Sequence, residues 1–163
     1  MNNIIEKVIA KNPYRHINKD FVKKLSELIK AKTEEEKIKL IRAKLRKVST
    51  SALSLKFYKK FEKLKFSEEI LTIHRSTKER LPIYQELVRK IKQNNAKIIL
   101  DLGCGFNLLA LHYFNFTPEL YIGYDLDNAV IKFVEKFAKE KHINAKLGCK
   151  DILEIDFPRA DLC

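Results

Sequence analysis

The segment Ile98-Ile99-Leu100-Asp101-Leu102-Gly103-Cys104-Gly105-Phe106-Asn107 decides the fold of this chain. Its three leading apolar residues predict a buried strand, and the two glycines one residue apart predict a tight turn. The apolar run at 108–111 then predicts the start of a helix. A strand, a Gly-x-Gly turn and a helix make half of a βαβ unit, in which a ligand can approach the backbone of the turn. The third glycine of the dinucleotide fingerprint would fall at position 108, which is Leu, and this argues against a nicotinamide or flavin site.

The composition predicts a folded chain of one or two small domains. Of 163 residues 45% are hydrophobic, enough for a core. No apolar run is long enough to cross a membrane, and the N-terminus lacks the hydrophobic region of a signal peptide, so we expect a cytoplasmic protein with no membrane partner. The three cysteines (Cys104, Cys149 and Cys163) have no metal-ligand spacing, and we expect reduced thiols and no bound metal.

The charge is divided unevenly along the chain. Residues 1–95 contain 25 Lys and Arg against 11 Asp and Glu, a balance of +14, whereas residues 96–163 contain 8 against 10, a balance of −2. We therefore predict a basic helical domain at 1–95 that holds a polyanion such as RNA, and an α/β domain at 96–163 that holds a small ligand. On charge alone, a solvated helix surface is the competing interpretation of the lysines.

The basic part is predicted to consist of amphipathic helices. Residues 2–11 form a short one, and Asn18 is the expected N-cap of a second. Thr33 and Glu36 form a capping box that opens a third helix. Residues 53–66 predict a further, lysine-rich helix.

Carboxylates follow the next two predicted strands. The second strand, at 120–124, ends at Asp125, near the spacing from the glycine turn at which a carboxylate accepts hydrogen bonds from ribose hydroxyls. The competing role of Asp125 is to cap the following helix, for which Asp127 is better placed. Residues 143–147 predict a third strand, and Asp151 lies just beyond it, at the ligand-binding edge of an open sheet.

A dense polar cluster precedes the sheet. Residues 67–82 predict a short helix, a polar turn and the first turn of another helix, where a proline is tolerated. The polar side chains of the turn are His74, Arg75, Ser76, Thr77 and Arg80. A lone histidine in such a place is usually a structural hydrogen-bonding group, but this density of polar groups favours a site.

Two segments of the chain resemble one protein family. They are His74-Arg75-Ser76-Thr77-Lys78-Glu79-Arg80-Leu81-Pro82 and Leu102-Gly103-Cys104-Gly105-Phe106-Asn107. Together they resemble the ribosomal RNA guanine-N7 methyltransferases of the aminoglycoside-resistance type, and Asp-x-Gly-x-Gly resembles motif I of class I S-adenosylmethionine (SAM) methyltransferases. The resemblance implies an α/β fold, a Rossmann-like class I methyltransferase sheet preceded by an all-helical N-terminal domain. It also implies docking on the 30S ribosomal subunit and methylation of a guanine in the decoding-site helix of 16S rRNA.

The same resemblance implies which residues bind the methionine end of SAM. Arg80 would pair with the methionine carboxylate, with His74 and Ser76 lining the same end. Gly103 and Gly105 would let the turn approach the methionine part. A guanidinium is chemically suited to a carboxylate.

At the other end of the cofactor, the resemblance implies that Asp125 holds the ribose hydroxyls. Asp151 would accept a hydrogen bond from the adenine amino group, with the Ile152 backbone alongside. No residue is expected to act as a catalytic base, because guanine N7 already has an available lone pair.

The sheet is expected to be incomplete. In the family it has seven strands, whereas this chain reaches only the beginning of a fourth at 160–163. We therefore expect most of a cofactor cradle and little of a target-base pocket, in a methyltransferase or the N-terminal part of one. Two alternatives remain open, a non-catalytic RNA-binding module with a vestigial SAM fold and a SAM methyltransferase with another target.

Overall fold

The computed structural model describes residues 2–11, 14–48 and 66–163. Before the sheet, its α-helices are α1 (Asn2–Ala10), α2 (Lys19–Leu28), α3 (Glu34–Val48), α4 (Arg75–Arg80) and α5 (Tyr84–Gln93). Short 3-10 turns lie at Tyr14–His16, Glu68–Thr72 and Leu81–Ile83. The three helices predicted before residue 49 are thus confirmed. The lysine-rich helix predicted at 53–66 lies, up to residue 65, outside the described residues.

The starts of α2 and α3 are set by the predicted capping residues. Asn18 Oδ1 accepts a hydrogen bond from the Phe21 amide at 2.9 Å, and Thr33 Oγ1 accepts one from the Glu36 amide at 3.2 Å. In a capping box the Glu36 side chain would accept from the amide of the N-cap residue, Thr33. Here Glu36 Oε2 accepts instead from the amide of the preceding residue, Lys32, at 3.0 Å. Each cap of this kind stabilises a helix by about 1 kcal/mol.

The sheet is parallel, with the strand order β1-β2-β3. Its strands are β1 (Ile98–Leu102), β2 (Leu120–Asp125) and β3 (Ala145–Cys149), and the crossover helices are α6 (Asn107–Tyr113) and α7 (Asn128–Glu140). Leu162 forms a parallel bridge to Ile99, and its carbonyl accepts from the Leu100 amide at 2.9 Å. The predicted start of a fourth strand therefore lies beside β1, on the edge that β2 leaves open.

Two details of the prediction were wrong. Strand β3 begins at Ala145, two residues later than predicted. The Ile143 amide donates to Ala138 O at 2.8 Å, and His142 has a φ of +52°. Ile143 is therefore buried where the chain turns away from α7, not in the strand.

The second error is the polar turn predicted within residues 67–82. Residues 75–80 form helix α4 instead. The Lys78 amide donates to His74 O at 2.8 Å, which starts the helical hydrogen bonding. Arg75 and Glu79, one turn apart, pair at 2.7 Å. The polar cluster therefore lies on a helix.

Two hydrophobic clusters form the interior. One joins α1, α2 and α3, and its fully buried members include Val8, Val22 and Ile41. The other packs helices on the sheet, and it extends from Ile70 to Ile143. Because helix α5 packs into the second cluster, residues 66–95 associate with the sheet. The predicted domain boundary at residue 95 lies shortly before β1, which begins at Ile98. The division into two domains at that point stays a prediction.

Candidate functional site

The glycine turn after β1 has a left-handed backbone at both glycines. Gly103 has a φ of +75° and Gly105 a φ of +46°, a region that favours glycine. The Gly103 amide donates to Tyr124 O at 2.8 Å, which ties the turn to the end of β2. A Cβ on Gly103 would meet no atom within 4 Å, whereas a Cβ on Gly105 would lie 2.7 Å from Cε1 of His74. The turn therefore has open space at its first glycine and a histidine ring against its second.

Asp125 ends β2 directly beside this turn. Its Oδ2 accepts from the Gly105 amide at 3.0 Å, and its Oδ1 accepts from the Asp127 amide at 3.0 Å. Burial raises the pKa of Asp125, and the backbone hydrogen bonds oppose that shift. A carboxylate has about four acceptor positions, so Asp125 can still accept from hydroxyl groups. Asp127 caps α7 by accepting from Ala129 N at 2.9 Å, which confirms its predicted role.

The polar cluster on α4 reaches the same turn. Arg80 Nε donates to Ser76 O at 2.9 Å, and its Nη2 donates to Ser76 Oγ at 3.3 Å. Ser76 Oγ lies 3.1 Å from Nδ1 of His74. Burial, and secondarily the charge of Arg80, lowers the pKa of His74 to about 4, so the ring is neutral at pH 7. Across the described ranges, no carboxylate forms an ion pair with Arg80.

Asp151 lies two residues beyond β3 and is buried. Its Oδ1 caps the 3-10 turn Ile152–Glu154 by accepting from Leu153 N at 3.1 Å. Its Oδ2 accepts from Nζ of Lys24, on α2, at 3.0 Å. The predicted adenine acceptor is therefore already ion-paired to the N-terminal helices, which the sequence did not predict.

Asp101 lies near Arg80 and Asp125, although the sequence indicated only that it ends a strand. Its Oδ2 accepts from Tyr121 Oη at 2.5 Å and from Asn107 Nδ2 at 2.9 Å. Asn107 Oδ1 in turn accepts from Tyr84 Oη at 2.5 Å. Burial raises the pKa of Asp101, against the lowering effect of Tyr121, Asn107 and then Arg80. The signal available in the sequence was its place at the head of the Asp-x-Gly-x-Gly pattern.

The structure thus brings the predicted residues to one edge of the sheet. Arg80 contacts Ser76, Ser76 contacts His74, and the ring of His74 lies against Gly105. Gly105 contacts Asp125, and Asp125 O accepts from Lys150 N, beside Asp151, at 3.0 Å. Such an edge can bind an anionic group at the arginine and donor groups at the two carboxylates. Among the residues that the structure describes, no group of three His, Cys, Asp or Glu side chains could hold a metal ion, and no helix could span a membrane.

Two solved structures show the fold of this chain. The 16S rRNA methyltransferase RmtF, solved in complex with S-adenosyl-L-homocysteine, matches 98% of this chain with a TM-score of 0.82 and 20% identity, over 66% of its own length. The 16S rRNA methylase RmtB matches 98% with a TM-score of 0.80 and 21% identity, over 68% of its length. The fold is the Rossmann-like class I methyltransferase fold, here with an incomplete sheet.

The family follows from the sequence. Residues 64–163 match the family described as Ribosomal RNA methyltransferase (FmrO), and the chain belongs to this family. A 16S rRNA (guanine(1405)-N(7))-methyltransferase of Proteus mirabilis is 30% identical over 143 residues, which cover 81% of this chain and 50% of that protein. The chain therefore spans about half the length of that relative. The resemblance inferred from the two sequence segments is confirmed.

Proposed function

We propose that this chain is a SAM-dependent methyltransferase, or part of one, that acts on N7 of a guanine in the 16S rRNA of the small ribosomal subunit. The observation that carries the proposal is Asp125, whose carboxylate lies at the end of β2 and binds the backbone of the glycine turn. Family membership and the guanine-N7 activity named for the Proteus mirabilis relative support the reaction. A ribosomal substrate would place the protein in the cytoplasm.

The residues at the glycine turn fit the methionine end of SAM. Arg80 is paired with no carboxylate in the described part of the chain, so its guanidinium can bind the methionine carboxylate. Ser76 and the neutral ring of His74 orient that guanidinium and line the same end. The open space at Gly103 allows a ligand to approach the backbone of the turn. Gly105 is buried against the ring of His74 and would support the turn from behind.

The two carboxylates on the following strands fit the nucleoside end. Asp125 keeps acceptor capacity for the ribose hydroxyls. Asp151 would accept from the adenine amino group, beside the backbone of Ile152. Its oxygens each already accept one hydrogen bond, and a carboxylate can accept more.

The reaction depends on binding and orienting the reactants more than on acid–base catalysis. When bound, SAM supplies a methyl group activated by its sulfonium. Guanine N7 carries an available lone pair, so no side chain has to remove a proton before transfer. The task of this chain is therefore to align the methyl donor with the target nitrogen.

A basic groove would hold the rRNA. The groove lies between α1 and α3 and has a volume of about 640 Å³. Five of its lining residues are basic, namely Lys7, Lys11, Lys39, Arg42 and Arg46, and the others are Glu35 and the apolar or aromatic residues Ala10, Tyr14, Ile38 and Ala43. Arg42 serves the fold, because its Nη2 donates to Lys7 O at 2.5 Å and its guanidinium lies 5.9 Å from the Tyr14 ring centroid. Lys11, Lys39 and Arg46 are exposed and would contact phosphates.

Calorimetric titration of SAM tests the cofactor site. We expect the chain to bind SAM and Asp125→Ala to weaken binding by at least about tenfold, because hydrogen bonds to a charged group are lost. Asp161→Ala is the matched control, since that carboxylate accepts from Lys97 N and Ile98 N at the start of β1. Equal affinities of the parent and Asp125→Ala would contradict the assigned site.

Transfer of labelled methyl groups from SAM to 30S subunits tests the reaction. We expect label at guanine N7 with the parent chain and none with Asp125→Ala. Methylation at another position would favour a different target. Salt-sensitive rRNA binding that is indifferent to SAM would instead favour a non-catalytic RNA-binding module.

A further inference from the structure

Asn18 connects the N-terminal helices to two loops of the α/β part. Its Oδ1 accepts from Phe21 N and caps α2. Its Nδ2 donates to Cys149 O at 2.8 Å, and its backbone amide donates to Leu126 O at 2.9 Å. One residue therefore binds the chain beyond β2 and the end of β3 at the same time.

These loops carry the two carboxylates of the candidate site. Leu126 directly follows Asp125, and Cys149 lies two residues before Asp151. The residue before Asn18 also reaches the first of these loops, because Ile17 forms an antiparallel bridge with Asp127. The N-terminal helices thus meet the sheet at its ligand edge.

The regular hydrogen bonding of the sheet stops at this point. The last paired residues of β2 and β3 are Asp125 and Cys149. Beyond them the bond from Lys150 N to Asp125 O still joins the two strand ends. The thiol of Cys149 also donates to Leu126 O at 3.5 Å. Further bonds come from α2, through its N-cap Asn18 and through the ion pair of Lys24 with Asp151.

We propose that Asn18 is a positioning residue for the cofactor site. It sets the spacing between the loop that carries Asp125 and the loop that carries Asp151, and so the distance between the ribose and adenine acceptors. The inference rests on the proposed function, because it assigns a cofactor to that edge. Asparagine is suited to the role, since its amide supplies a helix-capping oxygen and a donor together.

The variant Asn18→Asp separates the two roles of this side chain. Aspartate caps helices as well as asparagine does, so we expect α2 to keep its cap. The variant has no Nδ2 and cannot donate to Cys149 O, and a carboxylate oxygen faces that carbonyl instead. Asn144→Asp is the matched control, because Asn144 Nδ2 donates to Glu119 O at 3.0 Å, ahead of β2 and β3 and away from the ligand edge.

Calorimetric titration of SAM into the parent chain and both variants is the first measurement. We expect Asn18→Asp to weaken SAM binding about tenfold and Asn144→Asp to leave it within about twofold, since one hydrogen bond to the site loops is lost only in the first. Parent-like SAM affinity in Asn18→Asp would overturn the inference. Thermal unfolding of both variants shows whether a loss of affinity is merely a loss of stability.

Amide hydrogen exchange without SAM supplies a readout that does not depend on the cofactor. We expect Asn18→Asp to speed exchange at least about fivefold at the amides held by the two carboxylates, namely Gly105, Asp127 and Leu153. The Leu100 amide, bound to Leu162 O, serves as the unaffected reference. If the parent chain binds no SAM, the proposed cofactor site fails, and unchanged exchange at these amides would then overturn the inference as well.

Discussion

At the residue scale, the two glycines of the turn meet different surroundings. Both have positive φ, so alanine is strained at either position. We expect Gly103→Ala to lower the free energy of unfolding by about 1–2 kcal/mol, the cost of a left-handed backbone. Gly105→Ala adds a contact with the buried ring of His74 and should cost a further 1–3 kcal/mol or so.

Urea unfolding of the two glycine variants checks this prediction. The double variant Gly105→Ala with His74→Ala should show a favourable coupling, because removal of the ring relieves the clash. If Gly103→Ala and Gly105→Ala lost the same free energy of unfolding, His74 would not confine Gly105.

His74 should make the fold sensitive to acid. Its pKa is about 4 in the folded chain and about 6.5 when unfolded. In the folded state the ring of His74 resists protonation. Its contribution to the free energy of unfolding is therefore complete above pH 6.5 and declines as the pH falls towards 4. The full loss is about 3 kcal/mol.

The pH dependence of unfolding in His74→Gln isolates this effect. Burial raises the pKa values of Asp101 and Asp125, which favours the folded state in acid, but these groups are common to both proteins. Between about pH 7.5 and pH 4.5, the parent should therefore lose more stability than the variant. Identical pH profiles would contradict a buried neutral histidine.

At the element scale, apolar patterns in the sequence predicted the helices other than α4 and the first two strands. Strand β3 was harder, because its residues are only partly buried while Ile143, just before it, is buried. Leu28 shows the same limit. It has helical spacing with the core residues of α2, yet 68% of it is exposed. Which apolar residues lie inside depends on the neighbouring element as well as on the period.

Helix α4 was missed because all six of its residues are polar and offer no apolar periodicity. The helix holds together through side chains four residues apart, Arg75 with Glu79 and Ser76 with Arg80. Pairs at this spacing stabilise a helix by about 0.2–0.5 kcal/mol each. The sequence showed the polar density and predicted a site there, but not that a helix presents these side chains.

At the scale of the whole molecule, the uneven charge predicts where RNA binds. The double variant Lys39→Glu with Arg46→Glu removes two exposed groove cations. The matched control, Lys136→Glu with Lys139→Glu, makes the same change in charge on α7. For a decoding-site RNA oligonucleotide, the slope of log K against log salt should fall in magnitude by about 2 in the groove variant, because two phosphate contacts are lost.

Fluorescence anisotropy at several salt concentrations measures these slopes. The control should change the slope by less than about 1, since a distant charge releases few counterions. A larger effect of the α7 variant would place the RNA on the other part of the chain. The groove would then have to be abandoned as the binding surface.

By itself, the sequence determined the local features of this protein. The glycine turn, the helix caps at Asn18 and Thr33 and the parallel strands follow from bonds between near neighbours and from apolar periodicity. Only the tertiary structure decided the contacts between distant residues. Asn18 meets Cys149 across 131 positions, and Lys24 meets Asp151 across 127. Such pairs depend on how two separately packed cores dock, and no local pattern records that geometry.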